Sequence, residues 1–401
     1  MDKKILILVE SLKIGGGSER FAVTIGNALS HEGYQVSYLT LMDENPKYNY
    51  KGDYYTLKID NIYANGFKRL SDLIRYAPRI KKICDDLEVN TIIAVSEVAN
   101  FYAVLSRWLF NNKIRIIATQ HMNPGIFLDD KLKFNSIKFF YNRADEVVCV
   151  SRETEKILNE VYNVTNTRTI YNMMDIQKNI QLSTEKIPVH FAELFKEKYF
   201  RFINMGRLTR QKGQWFMIRS FKQVVDENPN ARLIVLGEGG LRKDLEDLIS
   251  ELNLDDHVFL LGEQENVFPF LRNSDCFVFP SLWEGLPLVL IEALSMDLPI
   301  ISADCKTGPR EVLTPELPLD DNITYPFFGN YGILCKPFPN EFNYKTLKEA
   351  PLDLSEKILC NSMIKIMEDS DLKKKYSAGL IRAQNFDEKK IINQWNNLLK
   401  K

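Results

Sequence analysis

The sequence holds no run of about eighteen apolar residues, the length at which a helix becomes a candidate to cross a bilayer, so no segment is expected to span a membrane. The apolar run at residues 5–9 follows two lysines, but it is short. It ends in Glu10 rather than at a small-residue cleavage site, which does not fit a secretory leader. Cysteine is sparse and scattered, at 84, 149, 276, 305, 335 and 360, and no two form a Cys-x-x-Cys pair. That pattern excludes a zinc knuckle or a dithiol redox motif. Most of the cysteines sit in apolar, strand-like runs, which predicts reduced, buried thiols in a cytoplasmic protein. No Gly-x-Gly-x-x-Gly follows an apolar strand pattern, which disfavours a nicotinamide-dependent dehydrogenase. No Asp-x-Asp closes a strand, and Asp369-Ser370-Asp371 falls between helical patterns near the C-terminus, so no metal site is expected. Excess charge is lacking too: 52 Lys and Arg face 53 Asp and Glu, a net charge of -1, which excludes wholesale nucleic-acid binding.

The chain does have bulk, with 401 residues at 45% hydrophobic content, enough for two domains with separate cores. Strand and helix patterns alternate from the start. Strands are predicted at 4–9, 35–40, 91–95, 114–119, 146–150 and 167–171. Between them lie a helix capped by Ser18, helices at 70–87 and 98–109, and one at 153–161 capped by Ser151. Residues 176–198 lack periodicity and read as a linker with a short helix. A second alternating set begins at 199, with strands at 202–205, 232–236, 258–261, 276–279, 299–302 and 332–334. Regular alternation of this kind argues α/β architecture with doubly wound parallel sheets. The segment 315–352 is rich in Pro, Asn and Asp and longer than an ordinary connection. An amphipathic helix at 386–399 closes the chain.

The stretch 279–299 carries the chemistry. It passes from the end of a strand through a turn at 280–285 to Pro287, which suits a first helical turn. A short apolar helix follows. Glu284 and Glu292 have seven residues between them. On one unbroken helix they would point about 80° apart, so they converge only if Glu284 lies in the turn and Glu292 on the helix. The amides of Leu286, Leu288 and Val289 would then be donors at a positive helix end, suited to phosphate. Arg207 and Lys212 occupy a loop bounded by Gly206 and Gly213 after a strand, able to aim two cations at one ligand. His121 stands just past a strand at its carboxyl end, where open parallel sheets bind ligands. Gly15-Gly16-Gly17 forms a strand–glycine–helix turn that an anionic or sugar group can approach closely.

Glu284-Gly285-Leu286-Pro287-Leu288-Val289-Leu290-Ile291-Glu292-Ala293-Leu294 resembles the paired-glutamate signature of the retaining glycosyltransferases of family 4, which have the two-domain GT-B fold. Gly206-Arg207-Leu208 with Gln211-Lys212-Gly213, then Leu236-Gly237-Glu238-Gly239, and Gly16-Gly17-Ser18-Glu19 are similar to three further motifs of that family, in its order. The resemblance implies two Rossmann-like doubly wound parallel-sheet domains facing a central cleft. The first, 1–175, would bind the acceptor and be rejoined by a helix at 385–401. The second, 199–384, would bind the donor.

The same resemblance implies site roles. Arg207 and Lys212 would neutralise the leaving diphosphate, Glu292 would accept from ribose hydroxyls, and Glu284 would hold hydroxyls of the transferred sugar. Gly285, Leu286, Leu288 and Val289 would offer amides to the distal phosphate, Gly262 would lie by the base, and Gly237 would shape the wall beside it. His121, Gly16 and Gly17 would face the cleft near the donor sugar. No cofactor is implied beyond a nucleotide-sugar cosubstrate, with UDP as the usual nucleotide. Residues 304–313 and 330–334 are similar to a subgroup that builds lipopolysaccharide, O-antigen and capsule, which implies a saccharide or lipid-linked oligosaccharide acceptor. A sugar-nucleotide epimerase of the same architecture and a non-catalytic sugar-nucleotide binder are the alternatives. Finally, 67–82 and 131–143 combine basic and apolar residues. At helical spacing Phe134, Ile137 and Tyr141 share a face with Lys131 and Lys138 near it, an expected resting surface on anionic lipid at the inner face of the cell membrane.

Overall fold

Runs such as Lys4–Val9 and Thr91–Val95 are β-branched or leucine at nearly every position, and they are buried almost along their whole length. Strands of that composition need cover on both faces, which a parallel sheet with helices on each side supplies. The computed structural model describes residues 3–13, 16–42, 46, 48–60, 62, 67–110, 113–127, 130–339 and 350–400, without the side chains of 67–70, 73, 126 and 127. The chain forms two units, Met1–Met174 with Glu388–Lys401, and Asp175–Asp387.

In the first unit the strands are β1 (Lys4–Val9), β2 (Gln35–Thr40), β3 (Asp53–Thr56), β4 (Thr91–Val95), β5 (Arg115–Gln120), β6 (Glu146–Cys149) and β7 (Thr167–Thr169). The helices between them are α1 (Gly17–His31), α2 (Phe67–Asp86), α3 (Glu97–Phe110), α4 (Lys131–Tyr141) and α5 (Arg152–Glu160). The sheet runs β3-β2-β1-β4-β5-β6-β7 with every pairing parallel. Alternation along β1 feeds two cores. Ile5, Ile7 and Val9 join α1 and the C-terminal helix Glu388–Lys400, while Leu6 and Leu8 join α2 to α5. The C-terminal helix buries Ile391, Trp395 and Leu398 in the first unit, each worth roughly 1.5–3 kcal/mol of burial. Arg115 Nη1 donates to the carbonyl of Leu398 at 2.8 Å, and Asn396 Nδ2 to Glu32 Oε2 at 2.8 Å.

The second unit opens with α6 (Ile176–Leu182), capped by Asp175, whose Oδ1 accepts from the Lys178 amide at 2.9 Å. It continues through β8 (Phe200–Met205), α7 (Gln214–Glu227), β9 (Ala231–Leu236), α8 (Arg242–Glu251), β10 (Val258–Gly262), α9 (Phe268–Arg272), β11 (Cys276–Phe279), α10 (Leu288–Ser295), β12 (Ile300–Ala303), α11 (Pro309–Leu313), β13 (Phe327–Phe328) and β14 (Ile333–Cys335). The sheet order is β10-β9-β8-β11-β12-β14-β13, parallel except for β13 against β14. Leu354–Glu368 packs on α7 behind it, and Arg219 of α7 and Glu356 form a buried ion pair at 2.7 Å.

Within 176–198 the expected short helix is α6, which packs against α9 and α10; Asn266 Nδ2 donates to the Leu182 carbonyl at 2.9 Å, and Arg272 Nη1 donates to Ser183 Oγ at 3.1 Å. Gly16, not Ser18, caps α1, with no side-chain bond. Near the C-terminus Ser370–Tyr376 and Leu380–Ala383 are separate short helices, and Asp369 caps the first by accepting from the Leu372 amide at 2.9 Å. The long segment 315–352 is, in its first part, tied by hydrogen bonds to Asp304 and Arg310. Arg310 pairs with Asp304 at 2.5 Å and donates to the Leu319 and Asp321 carbonyls, and Tyr325 donates to Asp304 at 2.8 Å. Residues 340–349 lie outside the described residues, as does Gly15.

The α4 surface is also corrected. Ile137 and Tyr141 are fully buried and Phe134 stacks on Tyr162 at 4.4 Å, so the shared apolar face points into the core. Lys133 lies 3.3 Å from Glu97 of α3. In α2, the side chains of Lys68 and Arg69 lie outside the description. Lys81 is paired with Asp85, and Arg75 and Arg79 lie over the Tyr76 ring. All six cysteines are free and buried. No described helix is long and apolar enough to cross a membrane.

Candidate active site

Three loops leave the carboxyl ends of β8, β9 and β10 and pack backbone on backbone. The Gly206 amide donates to Leu236 at 2.9 Å, the Gly237 amide to Gly262 at 2.8 Å, and the Leu208 amide to Glu238 at 2.9 Å. A Cβ on Gly237, whose φ is +135°, would lie 2.1 Å from the Gly206 carbonyl oxygen. Gly206 and Gly237 therefore serve close approach of chain to chain, and their own amides are already used.

The turn Arg210–Lys212 ends at Gly213, in the left-handed region at φ +64°. A Cβ there would meet the Pro280 carbonyl at 2.1 Å, so only glycine lets this loop close on the turn that follows β11. Two further bonds stitch the loops together: the Leu282 amide donates to Gln211 at 2.8 Å, and Gln211 Nε2 donates to the Trp283 carbonyl at 2.8 Å. The result brings together residues 72 apart. Lys212 Nζ donates to Glu284 Oε1 at 2.6 Å, with both side chains largely buried. Sequence reasoning singled out both residues but not their pairing. Arg207 is exposed, and its guanidinium makes no hydrogen bond or ion pair with the described residues.

After the turn, Pro287 caps α10 with no side-chain bond. Leu288 and Val289 are half-buried in the first turn, where no carbonyl four residues back belongs to the helix, so their amides remain donors toward the positive helix end. Gly285 and Leu286 are buried in the turn itself. Glu292 sits in the second turn, 3% exposed, against 8% for Glu284. As the sequence required, the two carboxylates lie one in the turn and one on the helix. Gly262 ends β10 at φ +76° beside the Glu238 carboxylate.

Thr307 was missed. It is buried, holds φ +69°, and donates from Oγ1 to the Glu284 carbonyl, while Lys306 bridges Trp283 in strand fashion. A β-branched residue in that region is a strained choice; here it holds the Glu284 carbonyl, next to the Trp283 carbonyl that Gln211 holds. The only sequence signal was the Thr-Gly-Pro that opens α11. Thr307→Val is expected to lower stability by about 1–3 kcal/mol, since a buried carbonyl loses its donor, and Thr307→Ser to restore most of it. Equal thermal melting of wild type and the valine variant would show that the clamp carries no weight.

In the first unit His121 directly follows β5. Its Nε2 lies 2.8 Å from Thr119 Oγ1, which donates to the Ala94 carbonyl at 2.9 Å. The single hydroxyl proton is thus used, Nε2–H donates to Thr119, and Nδ1 is left as an acceptor. The ring packs on Phe21 at 4.5 Å. Burial pushes the imidazole down to about 3, so it is neutral near pH 7. Gly17 begins α1 with open space where a Cβ would stand, and Gly16 lies against the Glu19 carboxylate.

Donor amides, an exposed guanidinium and a lysine–glutamate pair thus lie on loops at the carboxyl ends of a parallel sheet, in a chain of two Rossmann-like units. Residues 15–178 match the family described as Glycosyltransferase Family 4, and residues 186–319 match Glycosyl transferases group 1. The chain is 47% identical over 313 residues to an uncharacterized glycosyltransferase of Methanocaldococcus jannaschii, covering 78% of this chain and 74% of that one. It therefore belongs to the glycosyltransferases. It is also 27% identical over 399 residues, 97% of both chains, to the N-acetylgalactosamine-N,N'-diacetylbacillosaminyl-diphospho-undecaprenol 4-alpha-N-acetylgalactosaminyltransferase of Campylobacter jejuni. Among solved structures, Anabaena Alr3699/HepE in complex with UDP shares the fold, with a TM-score of 0.75 at 18% identity over 99% of each chain.

Proposed function

We propose that the chain moves a hexose or N-acetylhexosamine from a UDP-linked donor to a lipid-linked saccharide, with retention at the anomeric carbon, in surface-glycan synthesis. The observation that carries this reading is the Lys212–Glu284 contact, which sets a cation and a carboxylate side by side next to the first turn of α10. A donor sugar that ends in a diphosphate needs both. Lys212, Arg207 and the amides of Leu288 and Val289 receive the distal phosphate, Glu284 accepts from hydroxyls of the sugar, and Glu292 accepts from the ribose. As the bond between the anomeric carbon and the diphosphate breaks, these donors stabilise the charge that develops on the leaving oxygen. The acceptor oxygen then bonds to the same face of that carbon and passes its proton to the leaving phosphate. His121, neutral with Nδ1 as an acceptor, accepts from a hydroxyl of the acceptor saccharide and does not act as a cation. The full-length Campylobacter jejuni relative, whose name specifies a diphospho-undecaprenol acceptor, supports a lipid-linked substrate and a working position at the membrane surface.

Incubation of the protein with UDP-sugars tests the reaction. Release of UDP that depends on a saccharide acceptor, with a product of the donor's anomeric configuration by NMR, is the expected result. An altered sugar still attached to its nucleotide, formed without acceptor, would mean epimerisation instead. Because side-chain cations and amides neutralise the leaving group in this reading, transfer is expected to persist in EDTA. Complete loss, restored by Mg²⁺ or Mn²⁺, would overturn that part.

A further inference from the structure

The end of α3 and the outer face of α4 expose what soluble surfaces usually hide. Trp108 is 60% exposed, and Leu109, Phe110 and Phe139 are exposed beside it, with the Trp108 and Phe139 rings edge to face at 6.2 Å. Contiguous apolar exposure of this kind marks an interaction surface. Next to it opens a cavity of about 480 Å³ whose charged lining is Arg107, Lys113, Arg115, Arg143 and Asp145, four cations to one acid. Arg107 is held by Asp145 and by the Arg143 carbonyl, and the Arg143 guanidinium lies 3.7 Å from the Phe139 ring centroid. Lys113 and Lys138 are exposed, and their ammonium groups make no hydrogen bond or ion pair with the described residues.

We infer that this patch docks the first unit on an anionic lipid surface, with Trp108, Leu109, Phe110 and Phe139 entering the interface and headgroup phosphates entering the cationic cavity. The inference rests on the membrane-surface acceptor proposed above and replaces the α4 face that the core has claimed. Tryptophan favours the headgroup level, where its ring is buried and its N–H stays wet. Each Lys or Arg near such a surface contributes roughly fivefold to binding. A second copy is a poor occupant, because a two-fold contact would set one cationic cavity against the other.

The test uses the full chain and two vesicle types, phosphatidylcholine alone and phosphatidylcholine with phosphatidylglycerol. The protein should sediment with the anionic vesicles at low salt and be released at high salt. Trp215 and Trp395 are buried, so Trp108 is the tryptophan best placed to report contact. Its emission should shift to the blue and be quenched by brominated acyl chains, and Trp108→Phe should lose most of that signal. Lys113→Glu with Lys138→Glu should weaken sedimentation at least tenfold without changing the melting temperature. Indifference to anionic vesicles at low salt would overturn the proposal. So would sedimentation with unchanged Trp108 emission, or a lipid-free dimer that shields Trp108 from an aqueous quencher. Transfer to a water-soluble acceptor, measured in parallel, separates the two readings. If it persists while vesicle binding fails, the patch is refuted and the transferase stands; the reverse refutes the transferase alone.

Discussion

Lys212→Ala and Arg207→Ala should each lower turnover by about 10²–10³-fold, the usual cost of removing one preorganised donor from a developing oxyanion. The two variants should differ in stability. Arg207 is exposed and its guanidinium makes no hydrogen bond or ion pair with the described residues, so its loss should leave the melting temperature nearly unchanged; surface substitutions of that kind usually stay within about 0.5 kcal/mol. Lys212 lies 2.6 Å from Glu284, and the pair is largely buried. Removing it strands a carboxylate, so this variant should also melt lower. Lys212→Arg keeps the charge but not the point geometry and should recover stability better than turnover. Turnover measured beside thermal melts checks both statements. Near-normal activity in both alanine variants would remove the diphosphate assignment.

The second large effect separates the two carboxylates. Glu292→Ala should weaken binding of free UDP by about 10-fold or more, because a buried charged acceptor typically contributes about 1.5–3 kcal/mol to a hydrogen bond. Glu284→Ala should leave UDP binding intact while sharply reducing productive binding of the UDP-sugar. The physical reason lies in the structure: Glu284 neutralises Lys212, so its removal frees the ammonium for phosphate while stripping the sugar of its acceptor. Calorimetry with UDP and with UDP-sugar distinguishes these outcomes. Equal losses in both variants would contradict the division of roles.

The parallel strands were legible because burial on both faces leaves a nearly continuous apolar signature, as in β1 and β4. Strand β3, Asp-Tyr-Tyr-Thr, is a half-exposed edge and carries no such run, and β13 is two residues long. Both escaped for that reason. Arg207, Lys212, Glu284 and Glu292 stand out in their local context, whereas roles for Gly237 and Gly262 came only from the resemblance to family 4. The Lys212–Glu284 contact and the Thr307 clamp could not, because they depend on how loops far apart in sequence close on each other through Gly213 and Gly308. The α4 stretch shows a further limit. Periodicity groups Phe134, Ile137 and Tyr141 on one face, but it does not say whether that face meets solvent or sheet, and here it meets the core.

A crystal structure of the protein with UDP bound tests the account most directly. The distal phosphate should lie within hydrogen-bonding distance of Lys212 Nζ and of the Leu288 and Val289 amides, with the ribose hydroxyls on Glu292. A diphosphate bound elsewhere on the chain, with Lys212 still closed on Glu284 and Glu292 untouched, would contradict it.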